Sequence, residues 1–126
     1  MLKGIHILLV EDNVLNQKIG KYILQKQNAL ITTAANGKEA IEHIRQTHFD
    51  IILMDLYMPV MDGYETSRII REDMKNPIPI IALTASLSAG DDGGYLSAGM
   101  NAIISKPFDA AILCGLIVRL IDECKK

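Results

Sequence analysis

Branched apolar residues gather in short runs at residues 5–10, 30–34, 51–54, 80–83 and 102–104. Runs of this length and composition predict β-strands. Four of the five are almost continuously apolar instead of alternating, as expected of strands covered on both faces in a parallel sheet. Between the runs the pattern changes to a helical period. Leu15, Ile19, Tyr22 and Ile23 fall at i, i+4, i+7 and i+8, while Ala40, Ile41 and Ile44 make a shorter stripe. Leu113, Leu116, Ile117, Leu120, Ile121 and Cys124 make the clearest stripe, off which Ile112 and Val118 fall as surface apolar residues. Strand and helix therefore alternate five times, joined by turns such as Asn36-Gly37 and Asp62-Gly63. The alternation predicts an α/β fold, a doubly wound three-layer sandwich with right-handed crossovers. Five strands are too few for the eight-stranded barrel.

At 126 residues the chain has room for one domain, taken here as residues 1–126, and its 49% apolar and 22% charged composition is that of a compact globular protein. Thirteen Lys and Arg against fifteen Asp and Glu give a net charge of −2, with no basic stripe for a polynucleotide, so direct nucleic-acid binding is not expected. The longest apolar stretch, residues 110–118, falls well short of the ~20 residues of a membrane-spanning helix. The early apolar run 7–10 ends at Glu11 and Asp12, unlike a secretory signal. A cytoplasmic domain without membrane contact is the expectation. Cys114 and Cys124 lie ten positions apart in a helical pattern, about 15 Å at ~1.5 Å per residue, and are expected to be reduced thiols.

Ligands of open α/β sheets bind beyond the carboxyl ends of the strands, which directs attention to the residues following each apolar run. These are Glu11 and Asp12 after the first, Asp55 after the third, Thr84 after the fourth, and Ser105 and Lys106 after the fifth. Three carboxylates brought together repel one another unless a cation compensates. The donors are all oxygens, which favours Mg2+ (or Mn2+) over zinc. Lys106 offers a point charge and Thr84 a hydroxyl to the non-ester oxygens of a phosphoryl group, so phosphoryl transfer onto a carboxylate is the chemistry implied. Each residue also has a plainer reading: Asp12 as the cap of a helix starting near Asn13, Asp55 as the start of a turn, Thr84 as an ordinary strand-end residue and Lys106 as a solvated lysine. His6, His43 and His48 are dispersed and are not expected to be catalytic.

Four stretches resemble the receiver domain of two-component response regulators, and the likeness spans essentially the whole chain. They are Leu8-Leu9-Val10-Glu11-Asp12-Asn13, Met54-Asp55-Leu56-Tyr57-Met58-Pro59-Val60-Met61-Asp62-Gly63, Ala82-Leu83-Thr84-Ala85 and Ser105-Lys106-Pro107. The resemblance implies a flavodoxin-like (βα)5 fold with a five-stranded parallel sheet in the order 2-1-3-4-5. It implies that Asp55 is the phosphoacceptor, that Asp12 and Asp55 bind Mg2+ directly, that the main-chain carbonyl of Tyr57 is a further ligand, and that Glu11 acts through water. Thr84 and Lys106 would contact the phosphoryl oxygens, and Lys106-Pro107 would be a cis peptide. The implied partners are a histidine kinase, a histidine phosphotransfer domain, or both. Glu11-Asp12-Asn13 followed by Asn16-Gln17, together with Met58-Pro59-Val60-Met61-Asp62-Gly63, is most similar to receivers fused to hybrid sensor histidine kinases, which would place the domain in the cytoplasmic portion of a membrane-anchored sensor.

Two positions depart from that pattern. Ile103 stands where the family usually has a switching Tyr or Phe three residues before the lysine. The fourth helix, expected over about residues 87–98, contains Gly90, Gly93 and Gly94, each costing ~1 kcal/mol relative to Ala, and is expected to be short or frayed. Competing functions meet specific residues. A pseudo-receiver that never uses its aspartate has no need of Glu11, Asp12, Asp55, Thr84 and Lys106 together. A flavin carrier would place its phosphate against Glu11 and Asp12, and a dehalogenase-type phosphatase needs a second Asp where Tyr57 stands. As a receiver the domain would catalyse its own phosphorylation and hydrolysis and release no product of an external substrate.

Overall fold

The computed structural model describes residues 2–58, 60–84, 94–106 and 109–124. Among these residues, β1 (His6–Val10), β2 (Leu30–Ala34), β3 (Ile51–Asp55), β4 (Ile80–Thr84) and β5 (Ala102–Ser105) form one parallel sheet in the order β2-β1-β3-β4-β5. All five expected strands are present. Three of them run one residue past the apolar run, because Asp55 is registered against Leu83 and Thr84 against Ser105. Those polar groups therefore sit on the last rung of the ladder, where backbone pairing limits their movement.

The helices are α1 (Val14–Gln25), α2 (Gly37–Gln46), α3 (Gly63–Arg68), α4 (Gly94–Ser97) and α5 (Ala110–Cys124), with a five-residue π turn at Ile69–Asp73 extending α3. Asn13, Asn36 and Asp62 each accept the N–H of the residue three positions on at 2.9 Å and so cap α1, α2 and α3. The cap of α1 falls on Asn13, one residue beyond the Asp12 read from the sequence, and the Asn36-Gly37 and Asp62-Gly63 turns are helix starts. The strands feed two cores through alternate residues. Val10, Ile52, Met54, Ile80 and Ala82 pack with Ala40, Ile70, Ala98 and Met100 on one face of the sheet. Leu9, Ile51, Leu53, Ile81 and Leu83 pack with Leu24, Leu113, Ile117 and Leu120 on the other. This is the three-layer sandwich.

One helical stripe faces the wrong way for a core. Leu15, Ile19 and Tyr22 are 65%, 46% and 61% exposed, while α1 settles on Gly20 and Leu24, with Ile23 half-buried. A glycine contributes nothing to an apolar count, yet Gly20 is one of the two buried positions of the helix. In α5 Leu113, Leu116, Ile117, Leu120 and Ile121 face the second core as expected, while the Cys124 side chain lies outside the described residues. Ile112 and Val118 are exposed, and Cys114 is buried as well, its thiol pKa pushed up by that burial. The fourth helix is described only as Gly94–Ser97; residues 85–93, and Pro107 with its peptide bond, lie outside the described residues. Ile103 packs half-buried against the first core. No helix among the described residues is long and apolar enough to cross a membrane.

Candidate functional site

The sheet order reverses between β1 and β3, and in doubly wound folds the crevice at such a point receives the ligand. Val10 and Met54 are neighbours in register there, so the residues that follow them, Glu11 with Asp12 and Asp55, must lie side by side. One carboxylate oxygen from each of Glu11, Asp12 and Asp55 lies within 4.8 Å of the others. Glu11 and Asp55 are buried, and Asp12 is exposed at the mouth. Asn13, not Asp12, caps α1, so the Asp12 carboxylate is not committed to the helix. Asp55 Oδ1 does accept the Tyr57 N–H at 3.2 Å, so the turn read for this residue exists alongside its place in the acidic cluster.

Lys106 follows β5 and enters the same crevice. Its backbone N–H donates to the Thr84 carbonyl at 2.7 Å, and its Nζ lies 3.2 Å from both Glu11 Oε2 and Asp55 Oδ2. Thr84 is buried on the adjoining strand end. Glu11, Asp12, Asp55 and Lys106 therefore share one crevice, and the backbone bond from Lys106 puts Thr84 at its adjoining strand end. Tyr57 is different: its ring is 63% exposed and meets Tyr64 edge-on, with centroids 6.2 Å apart.

Electrostatics follow from three acids and one ammonium. Burial raises the Glu11 pKa to about 7, reinforced by the neighbouring Asp55 and opposed by Asn16 and Lys106. Burial acts to lower Lys106, but Asp55 and Glu11 outweigh it and the net direction is upward. Among the described residues of the crevice three carboxylates share one ammonium, which leaves positive charge in shortage. An all-oxygen donor set with this shortage suits a hard divalent cation.

Some contacts left no obvious sequence signal. Asn16 and Gln17 both donate to Glu11, and Gly63 at the start of α3 lies directly against the Asp55 backbone. An apolar cavity of about 80 Å3 adjoins the crevice between Ile19, Gly20 and Ile23 of α1 and Leu83 and Lys106. A larger open groove, about 600 Å3, lies at the opposite ends of the strands among Arg45, His48, Asp50 and Pro77, away from these groups.

The sequence model of the response regulator receiver domain matches residues 7–118, and the chain belongs to that family. It is a receiver domain of two-component phosphorelay signalling. It is 46% identical over 121 residues to hybrid signal transduction histidine kinase M of Dictyostelium discoideum, covering 91% of this chain but 5% of that relative's length. Among solved structures, the receiver domain of a Pseudomonas aeruginosa sensor histidine kinase, with magnesium ion coordinated in its active site cleft, matches with a TM-score of 0.85 and 41% identity. That match covers 94% of this chain and 98% of the other. A co-crystal structure of the Saccharomyces cerevisiae histidine phosphotransfer signaling protein Ypd1 with the receiver domain of its downstream response regulator Ssk1 matches at a TM-score of 0.87 and 34% identity. Coverage there is 95% of this chain and 90% of the matched chain.

Proposed function

We propose that residues 1–126 act as one cytoplasmic receiver that accepts a phosphoryl group from a phosphohistidine donor onto Asp55 in a Mg2+-dependent reaction. The observation that carries this reading is the meeting of Glu11, Asp12 and Asp55 within 4.8 Å, with the Lys106 ammonium 3.2 Å from both Glu11 and Asp55. The P–N bond of the donor breaks as a P–O bond to an Asp55 carboxylate oxygen forms, and the donor imidazole leaves with the electron pair of the broken bond. Asp12, Asp55 and the Tyr57 carbonyl would hold Mg2+, with Glu11 acting through water. The bound cation supplies charge neutralisation at the phosphoryl oxygens. Asp55 is kept in place by the β3–β4 ladder and by the Tyr57 N–H, so little reorientation precedes attack. Lys106 can turn from the two carboxylates toward the added oxygens, and the Thr84 hydroxyl can donate to them.

The donor is a histidine kinase or a histidine phosphotransfer domain, as in the Ypd1 complex of the structural relative. In-line approach to Asp55 confines docking to the rim of the crevice, where α1 presents Leu15, Ile19 and Tyr22 as an outward apolar row. Gly20, part of the same helix, is buried behind that row and lines the adjoining cavity. The likeness to hybrid kinases supports an origin within a sensor histidine kinase. Intact-mass measurement after incubation with acetyl phosphate tests the reading: one added phosphoryl group is expected with Mg2+ or Mn2+, and none with chelator or in Asp55→Asn. Equal labelling of Asp55→Asn and wild type would overturn it.

A further inference from the structure

α1 opens with residues that turn back toward the acidic cluster. With Asn13 as the cap, Asn16 and Gln17 are the third and fourth residues of the helix. Helical Cβ atoms tilt toward the N-terminus, so long polar side chains at these positions reach back over the helix start, as a Glu or Gln does in a capping box. Here both go past the cap to the same residue. Asn16 Nδ2 donates to Glu11 Oε1 at 2.8 Å, and Gln17 Nε2 donates to the Glu11 main-chain carbonyl at 2.5 Å.

Glu11 needs a fixed neighbour. Its carboxylate is buried beside Asp55, and Lys106, a further partner, sits farther away at 3.2 and 3.3 Å while also facing Asp55. A lysine is a point charge on a flexible stem, and Lys106 is the group that turns to the phosphoryl oxygens in the function proposed above. The Asn16 amide has no such second task. Its bond to Oε1 is shorter than either contact that Lys106 makes with the carboxylate. Capping does not account for this bond, because the cap uses the Asn16 backbone N–H and leaves the side chain free to reach Glu11.

We infer that Asn16 is a positioning residue for the acidic cluster: its amide holds the Glu11 carboxylate facing Asp12 and Asp55 and thereby sets the affinity of the cluster for a divalent cation. The inference rests on the phosphoacceptor reading and adds a residue on the docking helix to the support of the cation site. Groups that orient a metal site from outside typically change affinity 10- to 100-fold when removed.

The test is a Mg2+ titration of the full chain, followed by backbone amide shifts of Glu11, Asp12 and Leu56, with melting temperature measured on the same samples. Asn16→Leu removes the donor at nearly constant shape and is expected to raise the Mg2+ dissociation constant about 10-fold or more. The amide-retaining Asn16→Gln is expected to bind more tightly than Asn16→Leu, a recovery that a purely structural role would not produce. Asn16 is exposed, so folding should survive; if Asn16→Leu fails to fold, Asn16→Ser carries the same expectation. Wild-type affinity in the donor-lacking variant, or an affinity loss matched by loss of folded protein alone, overturns the inference and leaves the phosphoacceptor reading standing. A wild-type chain whose amides do not respond to Mg2+ overturns both.

Discussion

Gly63→Ala tests how closely α3 must approach the phosphoacceptor. A Cβ on Gly63 would collide with the Asp55 carbonyl oxygen and lie 3.0 Å from Leu56 Cα and 3.2 Å from the Asp55 carbonyl carbon. Ordinary contact begins at 3.4 Å, so all three are too close and one of the segments must shift. All three obstacles are backbone atoms and cannot rotate away. Strand β3 is secured there by the Leu56 N–H to the Leu83 carbonyl at 3.0 Å, and α3 by the Gly63 N–H to the Leu56 carbonyl at 2.9 Å. Either the start of α3 moves outward or the end of β3 is pushed into the crevice. Overpacking of this kind costs about 1–3 kcal/mol. For a domain of this size that lowers the melting temperature by roughly 3–6 °C per kcal/mol. Because a displacement of about 1 Å can cost on the order of 100-fold in rate, labelling of Asp55 should slow by more than the fraction unfolded explains. Circular-dichroism melts and an acetyl phosphate time course read by intact mass supply both quantities. A variant that melts and labels like wild type would refute the close-contact argument.

Glu11 confers a pH dependence on the cation-free protein: with its folded pKa raised to about 7 from 4.5 by burial and by Asp55, the folded state holds a proton that the unfolded chain has released. Its contribution to stability therefore falls as pH rises from about 4.5 to about 7 and levels off above, and urea melts of wild type against Glu11→Gln should show that slope only in wild type. Val60 has φ +72° with its side chain 78% exposed, a left-handed conformation costing a β-branched residue about 1–2 kcal/mol. Val60→Asn should raise the melting temperature, and a lower value would show that the side chain contributes packing instead. Arg71 ties the π turn to the Gly99 carbonyl, the Asn76 carbonyl and Asn101 Oδ1 at 2.8, 2.7 and 3.0 Å. Arg71→Ala is expected to cost about 1–3 kcal/mol and to speed hydrogen exchange at Gly99 and Met100, whereas unchanged exchange there would contradict the tie.

Much of this protein is determined by local chemistry that a sequence displays directly. Apolar runs of three to six residues become strands because that preference acts over a few positions, and a polar residue just before a helical stripe marks a helix start, although the cap of α1 is Asn13 and not the neighbouring Asp12. The acid, hydroxyl and lysine positions were legible for the same reason, since each lies one or two residues past an apolar run and parallel strands bring all such ends to one edge. What the tertiary structure decided depends on residues that meet across the fold. The apolar row Leu15, Ile19 and Tyr22 reads as a core stripe until Gly20 and Leu24 are seen to be the buried positions of α1, because which helix face turns inward is settled by what it meets across the fold. Gly63 matters for the space it leaves, since a side chain there would meet the Asp55 backbone. The extension of β3 and β4 to include Asp55 and Thr84 depends on pairing with the next strand, which no single segment encodes. The raised Glu11 likewise comes from burial and from a carboxylate 44 residues away in the chain, a joint effect that exists only once β1 and β3 are side by side.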